Sequence, residues 1–97
     1  MKTEEIVSAI IREQSMIIGE ELAKSRALSS GVVSFASKNI EDINLVNDNP
    51  QQIISKLIES YEQVFGLASV AVCLGVIKRF PQDQLGFVIP ENFKDIR

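Results

Sequence analysis

The chain lacks histidine and tryptophan and has one cysteine, Cys73, in its 97 residues. Without histidine, and with a single thiol, it cannot build the usual zinc and copper sites, a Ser-His or Cys-His nucleophile system, or a histidine-ligated haem. One cysteine also excludes an intrachain disulfide and is typical of a reducing compartment. We therefore expect no enzymatic activity, no catalytic residues, no metal and no other cofactor.

Cys73 lies between Val72 and Leu74 in an apolar run. Burial among such neighbours raises the pKa of a thiol and lowers its reactivity. The pattern favours a structural cysteine in the core over a reactive one.

Basic residues are few and dispersed, which argues against a nucleic-acid partner. Ten lysines and arginines stand against thirteen aspartates and glutamates, and the net charge is −3. Only Lys78 and Arg79 are adjacent. Since phosphate recognition needs clustered positive charge, we do not expect DNA or RNA binding.

Long apolar runs are also missing. The most apolar run, Val64 to Ile77, has fourteen residues, fewer than the roughly 20 that a membrane-spanning helix needs. Glu4 and Glu5 occupy positions where a secretory signal has its apolar core. We expect a cytoplasmic protein with no membrane partner.

Amphipathic helical patterns make up most of what is present. Apolar residues recur at helical spacing from Ile6 to Leu22, which predicts a helix over about 3–28. Asn49 and Pro50 are typical of a helix start, because Asn caps the first turn and Pro suits the first helical position. Gly66 stands where a left-handed residue would end that helix, which gives it the range 50–65.

The apolar residues of the segment that follows Gly66 fit both the two-residue period of a strand and the spacing of a helix. Residues 67–77 alternate well as a strand, but Leu67, Val70, Leu74 and Ile77 also form a helical seam. Length favours a helix over 67–80, since typical strands have about five or six residues. Between the first two helices, 31–36 fits a short strand or a helical turn, and 39–49 is rich in Asn and Asp and predicts a loop.

These patterns predict an all-α fold in a single domain over 1–97. The fold is a small helical bundle of three main helices, about 3–28, 50–65 and 67–80, with an extended C-terminal tail. The alternative is an α+β fold with strands near 31–36, 67–77 and 85–89.

The apolar faces of three such helices are difficult to cover within 97 residues, and pairing across a symmetry axis is the common remedy. The sequence therefore predicts a non-enzymatic protein-protein interaction or regulatory module. Its partner is a second copy, in a homo-oligomer, or another protein, of which the chain is a small subunit. The predicted interface uses the first helix, the 67–80 segment and the tail: Ile10, Gln14, Ile17, Leu67, Val70, Ala71, Leu74, Gly75, Phe87 and Ile89.

Gln14 is the polar member of that interface. It lies on the apolar face of the first helix, where a polar side chain can fix helix register by pairing with its counterpart or with a backbone group. The alternative is a place at the edge of the helix, with the amide reaching solvent.

The alternative function is a small apolar-ligand carrier or sensor. Its pocket would lie between two helices and be lined by Ile54, Ile58, Val70 and Leu74.

Overall fold

The computed structural model describes residues 3–46 and 48–80. Within them the chain forms four helices and two short strands. These are α1 (Thr3–Ile18), α2 (Glu20–Ser29), β1 (Val33–Phe35), β2 (Ile43–Leu45), α3 (Pro50–Phe65) and α4 (Leu67–Ile77). The predicted helical bundle is confirmed, with four helices in this part of the chain instead of three. The predicted tail, and the alternative strand near 85–89, lie outside the described residues.

The helix predicted over 3–28 is two helices, α1 and α2, which meet at Gly19. Gly19 has φ +92°, a backbone conformation that side-chain-bearing residues rarely adopt. The chain turns there, and α2 packs against α1. The helical spacing of apolar residues continues across the break, so the spacing alone gives no sign of it.

The loop predicted over 39–49 contains the second strand of a small hairpin. β1 and β2 pair antiparallel, with Val33 opposite Leu45 and Phe35 opposite Ile43. Phe35, Ile43 and Leu45 pack against the core, which holds this short pair in place. β1 lies inside the alternative strand near 31–36.

α3 begins and ends where the sequence predicts. The Asn49 side chain accepts a hydrogen bond from the Gln52 backbone N–H at 3.2 Å, which caps the first turn, and Pro50 is the first helical residue. Gly66, with φ +61°, separates α3 from α4.

α4 settles the ambiguity of residues 67–77 in favour of a helix, so the strand alternative there is wrong. Its buried residues recur at helical spacing: Ser69, Val70, Cys73, Leu74, Val76 and Ile77. The helix stops at Ile77, three residues short of the predicted end at 80, because residues 78–80 form a turn in which Arg79 N–H bonds to Val76 O at 3.0 Å.

The four helices surround one core. α1 packs mainly on α2 and α4, and α3 packs mainly on the same two helices. The largest fully buried side chains include Ile6, Ile10, Ile54, Leu57 and Tyr61. Among the described residues, no helix has the length and apolar character that crossing a bilayer requires.

Candidate interaction surface

α1 and α4 pack against each other. Gln14, late in α1, contacts Ser69 and Cys73 in the first half of α4. Phe80, just beyond the end of α4, lines a groove with Ala9 in the first half of α1. The contact between Gln14 and Ser69 therefore brings the last turn of α1 near the first turn of α4.

Large apolar side chains are exposed beside these two turns. Ile17 is 59% exposed, Phe65 51% and Leu67 62%. Ile17 lies one turn beyond Gln14 on α1, Leu67 opens α4, and Phe65 is joined to Leu67 through Gly66. We call these three residues the apolar end.

The outward face of α4 continues from the apolar end. Ala68 and Gly75 are exposed, and Ala71 is half-buried. No residue from Leu67 to Ile77 carries a charge, and its two most polar side chains, Ser69 and Cys73, face inward. This surface helix thus presents small and apolar groups to solvent along its whole length.

The predicted interface residues fall into three groups. Ile10, Gln14, Val70 and Leu74 are at most 3% exposed and pack inside the chain's own core. In this conformation the chain's own helices cover these four residues. Ile17, Leu67, Ala71 and Gly75 lie on the surface, and Phe87 and Ile89 fall outside the described residues.

Gln14 connects α1 to α4 from within the core. It is fully buried, and its Nε2 donates hydrogen bonds to the Ser69 carbonyl at 3.0 Å and to the Cys73 Sγ at 3.4 Å. Its Oε1 is buried without a hydrogen-bond partner among the described residues. A buried acceptor left in this state costs about 1–3 kcal/mol.

Cys73 is buried beside Gln14. Burial raises the pKa of its thiol to about 12, and the hydrogen bond from Gln14 opposes part of that rise. A protonated, enclosed thiol is a poor nucleophile. Within the part of the chain that the structure describes, His, Cys, Asp and Glu form no group of three or more that could hold a metal ion.

The four residues of the alternative ligand pocket are core residues. Ile54, Ile58, Val70 and Leu74 are at most 3% exposed and belong to one continuous apolar cluster. None of them lines the surface cavities of about 520, 400 and 350 Å³ that the described residues form. No observation favours an apolar-ligand carrier.

A charged groove runs along α1 from Glu4 to Glu13. Arg12 forms an ion pair with Glu41, and an Arg79 nitrogen lies 3.7 Å from a Glu13 oxygen. The 520 Å³ groove lies between these pairs.

α2 and α3 are joined by a set of hydrogen bonds. The Tyr61 hydroxyl donates to the Ala23 carbonyl at 2.7 Å, and the Ser60 hydroxyl donates to the Arg26 carbonyl. The Arg26 guanidinium donates in return to the Ser60 carbonyl at 3.2 Å and to the Gln63 amide oxygen at 2.6 Å. This contact is closed by the chain's own polar groups.

Phe65 is a candidate interface residue that the sequence does not single out. The apolar pattern of α3 assigns it to the inner face together with Ile58 and Tyr61. It is the last residue of the helix, where the chain turns at Gly66, and half of its surface is exposed. The neighbouring glycine is the only sequence signal for this.

The described residues therefore define a small four-helix module with a two-stranded hairpin and an exposed apolar end. No protein-family model, no curated protein and no solved structure matches this chain.

Proposed function

We propose that this chain is a non-enzymatic interaction or regulatory module that forms a homo-oligomer by pairing the apolar end of one copy with that of another. The observation that carries the proposal is the exposure of Ile17, Phe65 and Leu67 at one end of the bundle. Burying a fully exposed side chain of this kind is worth about 1.5–3 kcal/mol, and these three, already about half-buried, would each gain roughly half of that. Together they form an apolar patch of the kind that lies in the buried centre of protein interfaces.

A second copy is the occupant that such a surface suits best. In a two-fold dimer the same patch meets itself, so the patch must be self-complementary. Apolar side chains satisfy that condition without charge pairing, whereas a patch of one charge sign would repel its copy. The uncharged outward face of α4, with Ala68 and Gly75 exposed, extends the contact beyond the apolar end.

The proposal includes the absence of catalysis and a cytoplasmic location. It is supported by the lack of histidine in the sequence and by a single thiol that is buried and held protonated. A lone cysteine is typical of proteins in a reducing compartment.

The test compares two charged substitutions at equally exposed positions. Leu67 and Val46 are both 62% exposed, but Val46 follows β2 and lies away from the apolar end. We expect the wild type to sediment as a dimer or larger species at micromolar concentration, and Leu67→Glu to associate at least tenfold more weakly, a loss of about 1.4 kcal/mol or more. Val46→Glu should sediment like the wild type.

Circular dichroism of each variant checks that the helices are retained. A wild type that is monomeric at these concentrations contradicts the proposal. So does equal weakening of association by the two substitutions.

A further inference from the structure

Within the described residues, α1 is joined to the rest of the bundle only through Gly19, yet it contributes a large part of the core. Ile6, Val7, Ile10 and Ile11 are fully buried, and α1 packs mainly on α2 and α4. Each copy of the chain carries the same α2 and α4 surfaces. The α1 of one copy therefore fits the bundle of a second copy as well as it fits its own.

The bend between α1 and α2 depends on the glycine at position 19. Its φ of +92° and ψ of 151° lie in a region that is essentially restricted to glycine. A Cβ at this position would meet no atom within 4 Å, so another residue would be opposed by its backbone conformation and not by crowding. Glu20 and Glu21, in the first turn of α2, favour a helix start at this point.

A continuous helix over 3–29 is the competing conformation. The Gly19 N–H donates to the Ser15 carbonyl, and the Gly19 carbonyl accepts from the Ala23 N–H, each at 3.0 Å, as in an unbroken helix. No side chain caps the first turn of α2. In a continuous helix the N–H groups of 20–22 would bond to the carbonyls of 16–18. Straightening thus keeps the bonds at Gly19 and pairs the N–H groups that begin α2.

Straightening also separates α1 from its own bundle. A helix over 3–29 has 27 residues and a length of about 40 Å, which exceeds the 32 Å of the molecule's longest dimension. α1 would then project away from α2 and α4 of its own copy, with its apolar face exposed. A second copy that straightens in the same way removes the exposure for both, because each supplies the surface that the other needs.

We propose that Gly19 is a hinge through which two copies of the chain exchange α1. In the exchanged dimer each chain has one helix over 3–29, and each α1 packs on α2 and α4 of the other copy. The two long helices then meet at their hinges, where Met16 and Leu22, which are 70% and 40% exposed in the bent form, pack between the copies. This exchange is a second route to a dimer and does not rest on the pairing of the apolar end.

Cross-linking tests the proposal, because it reports whether α1 lies on its own bundle. Arg12 of α1 forms an ion pair with Glu41, and both side chains are about half exposed. In a chain with Arg12→Cys and Glu41→Cys, a short bismaleimide joins the two positions within one chain in the bent form and between two chains in the exchanged form. A dimer that forms through the apolar end gives links within one chain. Cys73 is buried and is left in place.

The chain is unfolded in urea, refolded with reductant at micromolar or millimolar concentration, and cross-linked after dilution. Mass spectrometry gives the ratio of interchain to intrachain links. This ratio should rise with the refolding concentration, since exchange needs two chains. At equal concentration it should be at least about tenfold higher in Gly19→Ala, because alanine disfavours the bend and favours the continuous helix.

Gly31→Ala is the matched control. Gly31 has φ +79°, and a Cβ there would also meet no atom within 4 Å. β1 follows it closely, so no continuous helix competes with the turn. The ratio in Gly31→Ala should equal that of the chain with both glycines.

Three results overturn the proposal: a ratio that does not change with refolding concentration, links only within chains in Gly19→Ala, or an equal rise in Gly19→Ala and Gly31→Ala. If circular dichroism shows that Gly19→Ala does not fold, the concentration series in the chain that keeps Gly19 decides the question. Repeating the series in Leu67→Glu keeps the two proposals apart, since the ratio should not change there.

Discussion

Two helix contacts, one between α2 and α3 and one between α1 and α4, each bury a large polar side chain, Tyr61 in the first and Gln14 in the second. Their hydrogen bonding differs. Tyr61 has one hydroxyl proton and donates it to the Ala23 carbonyl. Gln14 donates through Nε2 but leaves Oε1 without a partner among the described residues. A satisfied buried group stabilises a contact, whereas a half-satisfied one gives up part of that stability.

The two helix contacts also differ in the side chains that border them at the protein surface. Beside Tyr61, the contact between α2 and α3 is closed by Arg26, Ser60 and Gln63. The contact between α1 and α4 ends at exposed Ile17 and Leu67. The first contact is thus bordered by hydrogen-bonded polar groups, whereas the second ends at exposed apolar side chains.

Removing the Tyr61 ring should have the largest effect on stability. The side chain is fully buried, and truncating a buried aromatic residue to Ala costs about 3–5 kcal/mol. Tyr61→Phe keeps the ring and loses only the hydrogen bond to Ala23, so about 0.5–1.5 kcal/mol should be lost. Urea denaturation gives both values. A Tyr61→Phe variant as stable as the wild type would show that this hydrogen bond does not distinguish the two contacts.

Replacing Gln14 with an apolar residue should not lower the free energy of unfolding, in contrast to the Tyr61 substitutions. Gln14→Met keeps the length of the side chain and removes the buried Oε1, so the free energy of unfolding should stay level or rise by up to about 1 kcal/mol. The matched control is Gln63→Met, which removes the acceptor of the Arg26 guanidinium between α2 and α3. There we expect a loss of up to about 1 kcal/mol.

Both values come from urea denaturation at the same ionic strength. If Gln14→Met is destabilising by more than Gln63→Met, Gln14 is a net stabilising residue and the comparison fails.

Alkaline pH should have the smallest effect on stability, through the titration of buried groups. The pKa of the Cys73 thiol is raised to about 12 by burial, against about 8.5 in an unfolded chain. The folded state thus holds this proton more tightly, so the associated stability is present in full below about pH 8.5 and is lost as the pH rises toward 12. Burial also raises the pKa of the Tyr61 hydroxyl, which adds a loss in the same direction at higher pH.

Thermal denaturation between neutral and strongly alkaline pH measures this effect. The midpoint should begin to fall near pH 8.5 in the wild type and fall less steeply in Cys73→Ala, where only the other groups titrate. Parallel pH profiles for the two proteins would mean that the thiol does not contribute.

Local sequence signals predicted the elements that depend on local chemistry. Asn49, Pro50 and Gly66 fixed the limits of α3, because caps and positive-φ turns depend on a few adjacent residues. The break at Gly19 was not predicted, although the glycine was visible, because a helix can accommodate one glycine at a cost of about 1 kcal/mol. β2 was missed because it is only three residues long and lies in an Asn- and Asp-rich stretch, a composition that is typical of loops.

The candidate surface was only partly predictable for a related reason. Helical spacing identifies which residues share a face, but it does not say which neighbour covers that face. Gln14 and Val70 were assigned to a partner's surface, and α4 and α1 of the same chain cover them. Ile17 and Leu67 have the same apolar character and are left exposed because they lie at the ends of their helices.

The molar mass of the wild-type chain on dilution is the most direct test of the central claim, that the apolar end joins two copies. Light scattering of the wild type at micromolar concentrations should give a molar mass of twice the chain mass or more, and this mass should fall toward that of the monomer on dilution. The Leu67→Glu variant should have a mass close to that of the monomer at every concentration. A wild-type chain with the monomer mass throughout would contradict the account.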